Sequence, residues 1–283
     1  MSCTLKGYKG DPILSFADWD RDGMPPHRRA KHWKEHHSAM ELAKRWTYAG
    51  SPAVPSELLD LIDSHDLTKG TLVQSGVVEH RTSLPYGPRA PRWHDMSIIG
   101  AKEREIVTIC VEGKATEPFG NSVANELKAA WKRPVTQFPD RLDWLTRSLF
   151  GISAFQDATH KTLNSVVSGL PYQLLTAVAG TFLQARIDKA KLAVFIVHEF
   201  RTPKTTDIVL DKHEKAFNEF LRLFFESNGT IWPGGTTEHK LAVKNARFVG
   251  PVQMQHDPNV KGIISIPKDI PLLIGKIRTD TNF

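Results

Sequence analysis

Apolar residues recur along the chain with two different periods, and each change of period marks an element. At 38–48, Met40, Leu42, Ala43 and Trp46 stand at helical spacing, and Ser38 with Glu41 three residues on has the form of a capping box. Ser56 after Pro55 predicts the start of a second helix over 56–64. The period then shortens. Residues 71–81 (TLVQSGVVEHR) read as a strand and 83–92 as a loop of Pro, Gly and Arg. Two short β-rich runs, 95–99 and 106–111, predict an antiparallel hairpin around a polar connection. Helical spacing returns at 121–131 and 141–150, and 170–189 reads as a longer amphipathic helix. Residues 191–198 (KLAVFIVH) are almost all apolar and β-branched, the pattern of a strand buried on both faces. A helix rich in Phe and Leu follows over 212–227, then short strands over 246–252, 261–266 and 271–278. Residues 1–30, dense in Gly, Pro, Asp and Arg, predict irregular structure.

The order of helix, three strands, helix, strand, helix and β-rich tail predicts an α/β fold, a mixed central β-sheet flanked by helices. The expected organisation is an N-terminal helical segment, 1–68, packed on a larger domain, 69–283, that ends in the β-rich extension.

Composition narrows the class. In 283 residues, 40% are hydrophobic and 24% charged, as in ordinary globular proteins, so wholesale disorder is excluded. No apolar run reaches the roughly 18 to 20 residues of a membrane span. The start, MSCTLKGYKGD, has no apolar core of a signal peptide. With Cys3 and Cys110 as the only cysteines, a disulfide framework is not expected and a reducing cytoplasm fits. The net charge of +6 suits a polyanionic partner, and basic residues cluster at 27–34 (HRRAKHWK) and at Arg81, Arg89 and Arg92. A solvated surface is the competing reading of each cluster.

The chemistry concentrates at 111–120, VEGKATEPFG, directly after the apolar run 106–110. Glu112 and Lys114, two apart on a strand, point to the same side. Asp95 begins the first hairpin strand and Glu112 ends the second, so an antiparallel hairpin brings them to one end of the sheet. Two carboxylates suit a hard cation, Mg²⁺ or Mn²⁺. A neighbouring lysine can orient an attacking water or stabilise negative charge in a phosphoryl transition state. A simple surface salt bridge is the alternative for the Glu112–Lys114 pair.

This Asp-x(16)-Glu-x-Lys pattern resembles the PD-(D/E)XK nuclease superfamily, with Asp95 in the Asp position, His94 where Pro is expected, and Glu112-Gly113-Lys114 as E-x-K. The order of elements also agrees with that superfamily's core. More narrowly, VEGK with EPFG (117–120), and LPYQLL (170–175) downstream, are similar to a largely uncharacterised microbial family assigned to this nuclease-like fold. The likeness runs over about residues 32–280 and includes Glu79-His80 and the strand LLIG (272–275).

The resemblance implies a restriction-endonuclease-like core and a Mg²⁺- or Mn²⁺-dependent nuclease acting on DNA, in defence against foreign DNA or in repair. Asp95 and Glu112 would hold the metal, with the Gly113 carbonyl as a further ligand, and Lys114 would position the attacking water. Glu79 is the natural third acid, its rival role being a strand-end partner of Arg81 or Lys114. Gln173 resembles a glutamine placed near the scissile phosphate, and Tyr172 would stack or hydrogen-bond beside it; core and capping roles compete for both. Arg81, Arg89 and Arg92 are expected on a loop over the cleft, touching the nucleic-acid backbone. A homodimer or a protein partner in a larger system is compatible with this reading, and a membrane partner is not expected. The alternative is a catalytically inactive, nuclease-like nucleic-acid-binding or regulatory protein.

Other sites are set aside. The stretch 18–23 (DWDRDG) matches the first half of an EF-hand loop, yet position twelve is Arg29, so it reads as a turn. His32 and His36 offer a helical i, i+4 pair, with His37 beside them, but too few further ligands for zinc. Neither G-x-S-x-G nor G-x-x-x-x-G-K-[ST] occurs, so a serine hydrolase and a P-loop ATPase have no support.

Overall fold

The computed structural model describes residues 3–86, 91–133, 136–230, 248–258, 260 and 262–281. Its elements in chain order are β1 (Thr4–Lys6), β2 (Pro12–Ile13), α1 (Phe16–Asp22), α2 (Pro26–His32), α3 (Ser38–Trp46), α4 (Ser56–Asp63) and β3 (Leu72–Thr82). Then come β4 (Arg92–Lys102), β5 (Glu105–Lys114), α5 (Val123–Ala130), α6 (Phe138–Phe150), α7 (Ser165–Ser168) and α8 (Tyr172–Ile187). The chain closes with β6 (Leu192–Arg201), α9 (Asp207–Ser227), β7 (Phe248–Val252) and β8 (Leu272–Asp280).

The expected α/β architecture is present as one eight-stranded sheet, in the order β2-β1-β3-β4-β5-β6-β8-β7. The neighbours β3, β4 and β5 run antiparallel, whereas β5, β6 and β8 run parallel. Alternate residues of the central strands β6 and β8 face two separate cores. Val107, Ile109 and Val111 of β5 join Val194 and Ile196 of β6 beneath α1, α3 and α4. On the other face Phe195 and Val197 pack under α6, α8 and α9.

Several elements differ from the pattern-based expectation. Of the stretch 1–30, the described residues 3–30 are not irregular, because β1 and β2 extend the sheet and α1 and α2 follow. The 18–23 stretch is mostly helix α1, capped by Ser15 and anchored by buried Trp19, rather than a turn. The hairpin strands β4 and β5 continue well beyond their apolar runs to a tight connection at Glu103, because cross-strand pairing persists through partly exposed polar residues. The 262–266 stretch forms no strand, and residue 261 lies outside the described residues. Ser38 and Ser56 are first helical residues rather than caps. Helix α8 is not amphipathic: every residue from Leu174 to Ala185 is buried, as befits a helix packed between the sheet and other helices.

Candidate active site

Strand register builds the site. Met96 pairs with Val111, so one step further Asp95 lies across from Glu112. On its other side, Val78 pairs with Met96 and His80 with His94, which sets Glu79 opposite Asp95. Glu79, Asp95 and Glu112 therefore form one row across three adjacent strands.

The row coincides with a break in the pleat. Glu79 has φ 47°, a left-handed conformation that costs a non-glycine residue about 1 kcal/mol or more. A regular strand would put residues 78 and 80 on one face. Here Val78 and Met96 belong to the core under α3 and α4. Past the break, His80 Nε2 and Thr82 Oγ1 reach Gln184 of α8, at 2.8 and 2.9 Å, and His94 lies against Gly180 of the same helix.

Three cations face the three carboxylates. Arg28 of α2 holds Glu79 at 2.7 Å, and Lys114 Nζ holds Glu112 Oε1 at 2.7 Å. Arg92 engages the other oxygen of Glu112, and Gln173 donates from Nε2 to Oε1. The Gly113 amide donates to Asp95 Oδ2 at 2.7 Å. Glu112 and Lys114 are only 1% and 3% exposed, so a surface salt bridge is excluded.

Burial, with the charges of Glu112 and Glu79, pushes the Asp95 carboxyl up to about 8. Burial also raises Glu79, against the opposing pull of Arg28. Burial alone would raise Glu112, but Arg92 and Lys114 outweigh it and hold that carboxyl below its ordinary value. Asp95 is the member of the row without an ion pair among the described residues, and hard carboxylate oxygens at one level fit a divalent cation that keeps several waters. Among the described residues no group of three or more His, Cys, Asp or Glu side chains is arranged to hold a metal, so two carboxylates and backbone are the donor set to consider.

A cleft of about 330 Å³ opens over Asp95, between α2 (Arg28, His32) and the start of α8 (Tyr172, Gln173, Thr176). A larger cavity, about 540 Å³, lies near Tyr48 and Lys44 and touches none of these carboxylates.

Asp95, Glu112, Gly113, Lys114, Glu79 and Gln173 are thus brought together, and Tyr172 borders them. The half-buried Tyr172 ring lines the cleft and packs on Phe138 at 4.9 Å between centroids. The basic loop is different from expectation. Arg81 belongs to β3 and lies over the Trp93 ring, 5.2 Å away, because it is the register partner of Trp93. Arg92 is a buried counter-ion of Glu112, because β4 starts earlier than its apolar run suggests. Arg89 lies outside the described residues. Glu79 pairs with Arg28, not Arg81 or Lys114. His32 ends α2 while His36 has φ 68°, so the three histidines share no helix face.

The sequence reading missed a second buried network beside Lys114. Glu199, the register partner of Lys114 on β6, binds His213 Nδ1 (3.0 Å), Lys276 (3.3 Å) and Arg278 (2.6 Å). His213 Nε2 faces the Glu117 carbonyl at 2.8 Å, and its ring meets Phe119 edge-on. Phe119 in turn lies under the Lys114 ammonium, 5.4 Å from the ring centroid. The Glu117 carboxylate accepts the Ser38 amide at the start of α3, at 2.8 Å. The EPFG segment therefore ties Lys114 to α3 and α9. An acid at the end of a buried strand, as at Glu112, was the available signal for Glu199.

A family described as Domain of unknown function (DUF6946) matches residues 12–279, a span that includes the whole carboxylate row and both networks. The chain belongs to that family. No curated protein and no solved structure matches it. Among the described residues no helix is long and apolar enough to cross a membrane.

Proposed function

We propose that the protein is a metal-dependent nuclease hydrolysing phosphodiester bonds, with DNA as the preferred substrate class and the cytoplasm as its place of work. One observation carries the reading: Glu79, Asp95 and Glu112 stand in a row across β3, β4 and β5, with Lys114 on the same strand as Glu112, and Asp95 of that row lines a cleft bordered by Arg28 and Arg92. The antiparallel β3–β4–β5 unit with parallel β6 and the intervening α8 supports a restriction-endonuclease-like core.

Asp95 and Glu112 would hold Mg²⁺ or Mn²⁺, which when bound supplies charge neutralisation of the phosphate and a more acidic water. Lys114, fixed between Glu112 and the Phe119 ring, orients the nucleophilic water by hydrogen bonding. Gln173 holds the Glu112 carboxylate in place, and Glu79 holds Arg28 at the cleft wall. Arg28 presents positive charge, and His32 a ring N–H donor, to the nucleic-acid backbone.

The test is incubation of purified protein with plasmid and oligonucleotide DNA and RNA in Mg²⁺ or Mn²⁺. Cleavage that stops with EDTA and is lost in Asp95→Asn is expected; intact substrate under all metals sinks the enzyme. A nuclease-like binding protein is the second reading, favoured by the engagement of both Glu112 oxygens by Arg92, Lys114 and Gln173. It predicts retained nucleic-acid binding without any cleavage.

A further inference from the structure

Glu112 is the most heavily engaged carboxylate of the row, and its three partners are not held equally. Lys114 has a second support in the Phe119 ring, and Gln173 sits in the first turn of the buried helix α8. Arg92 has neither. Its Nη2 bonds Glu112 Oε2, while its Nε has no partner among the described residues. Its stem runs past Gly180, where a Cβ would stand 3.0 Å from Arg92 Cγ, and the residue lines the open cleft.

Charge makes this arrangement conditional. Glu79 is paired with Arg28, and Glu112 with both Arg92 and Lys114, whereas Asp95 has no ion pair among the described residues. A divalent cation bound to Asp95 and Glu112 would compete with the guanidinium for Glu112 Oε2 and repel it at close range. We propose, resting on the nuclease reading above, that Arg92 is a displaceable counter-ion. Without metal it neutralises Glu112. When a divalent cation enters, the guanidinium leaves Oε2 and turns into the cleft, where a substrate phosphate is its next partner. Arg92 is then a positioning residue for the empty site and a phosphate contact in the loaded one. Guanidinium geometry suits both, since carboxylate and phosphate present the same paired acceptors.

The test uses full-length protein without nucleic acid. Mn²⁺ is titrated calorimetrically into the wild type, Arg92→Gln and Arg92→Lys, each checked by thermal melting. Arg92→Gln removes the competitor and should bind Mn²⁺ about tenfold tighter, while Arg92→Lys keeps a charge and should stay within about threefold of the wild type. As a readout in the wild type itself, the Arg92 Nε–H resonance, identified by its absence from Arg92→Lys, should move when Mg²⁺ is added. Unchanged or weaker Mn²⁺ affinity in a folded Arg92→Gln protein, or a resonance that Mg²⁺ leaves in place, overturns the proposal alone. Absence of Mn²⁺ binding in all three proteins removes the metal site, and the nuclease reading falls with it.

Discussion

Asp95 shows how a single residue can be costly to the fold and still be kept. Its folded-state pKa, about 8, lies above the ordinary value of 3.8, so the folded protein holds a proton there that the unfolded chain has released. Stability from this residue is complete below about pH 4 and is lost as pH rises through 8. Asp95→Asn, which keeps an acceptor for the Gly113 amide, should therefore gain melting temperature over the wild type as pH goes from 4 to 8, by about 2–4 °C for each kcal/mol recovered. Melting curves at pH 4, 6 and 8 without metal check this; a gap that does not widen with pH removes the argument. Glu112 behaves oppositely. Glu112→Ala strands the buried charges of Arg92 and Lys114 and should cost about 3–5 kcal/mol. Lys114→Met should leave Mn²⁺ affinity undiminished, since Lys114 is no ligand, yet abolish cleavage. A matching loss of metal affinity in calorimetry would instead make Lys114 structural.

At the scale of elements, α8 decides the shape of the floor. Because it is buried on every side, small residues set how near it lies to β4. A Cβ at Gly180 would stand 2.8 Å from His94 Nε2 and 3.0 Å from Arg92 Cγ. Gly180→Ala gains about 1 kcal/mol of helix propensity, but the overpacking costs about 1–3 kcal/mol. Urea titration should show a net loss of stability, and the displaced Arg92 and His94 should lower cleavage as well. If Gly180→Ala is stabilising, α8 is free to move and the close approach has no role. The left-handed Glu79 belongs to the same account, since it turns the ends of β3 and β4 toward α8.

Over the whole molecule, the cleft is the meeting point of layers far apart in sequence. Arg28 arrives from α2, Asp95 and Glu112 from the sheet, and Gln173 from α8. Arg81 is exposed beside Trp93, so a nucleic-acid strand that follows the cleft outward should meet it. Arg81→Ala should then weaken binding equally for all sequences and flatten the log–log salt dependence by about 0.9 on duplex DNA or 0.7 on single strands. Filter binding in EDTA over a KCl series measures the slope, and an unaltered slope means the strand leaves by another path.

The sequence alone determined the α/β class, most helices and strands to within a few residues, and the grouping of Asp95, Glu112 and Lys114. These depend on local periodicity and on the alternation of side chains along a hairpin, both written in consecutive residues. It did not determine the role of residues 1–30, the partner of Glu79, or the burial of Arg92. Those depend on contacts between distant segments: β1 beside β3, Arg28 against Glu79, and Arg92 between β5 and α8. A charged residue carries no local mark of whether it will meet water or a buried carboxylate. Tertiary packing supplies that environment, because burial turns an exposed arginine into a counter-ion and a strand-end glutamate into part of a row of carboxylates.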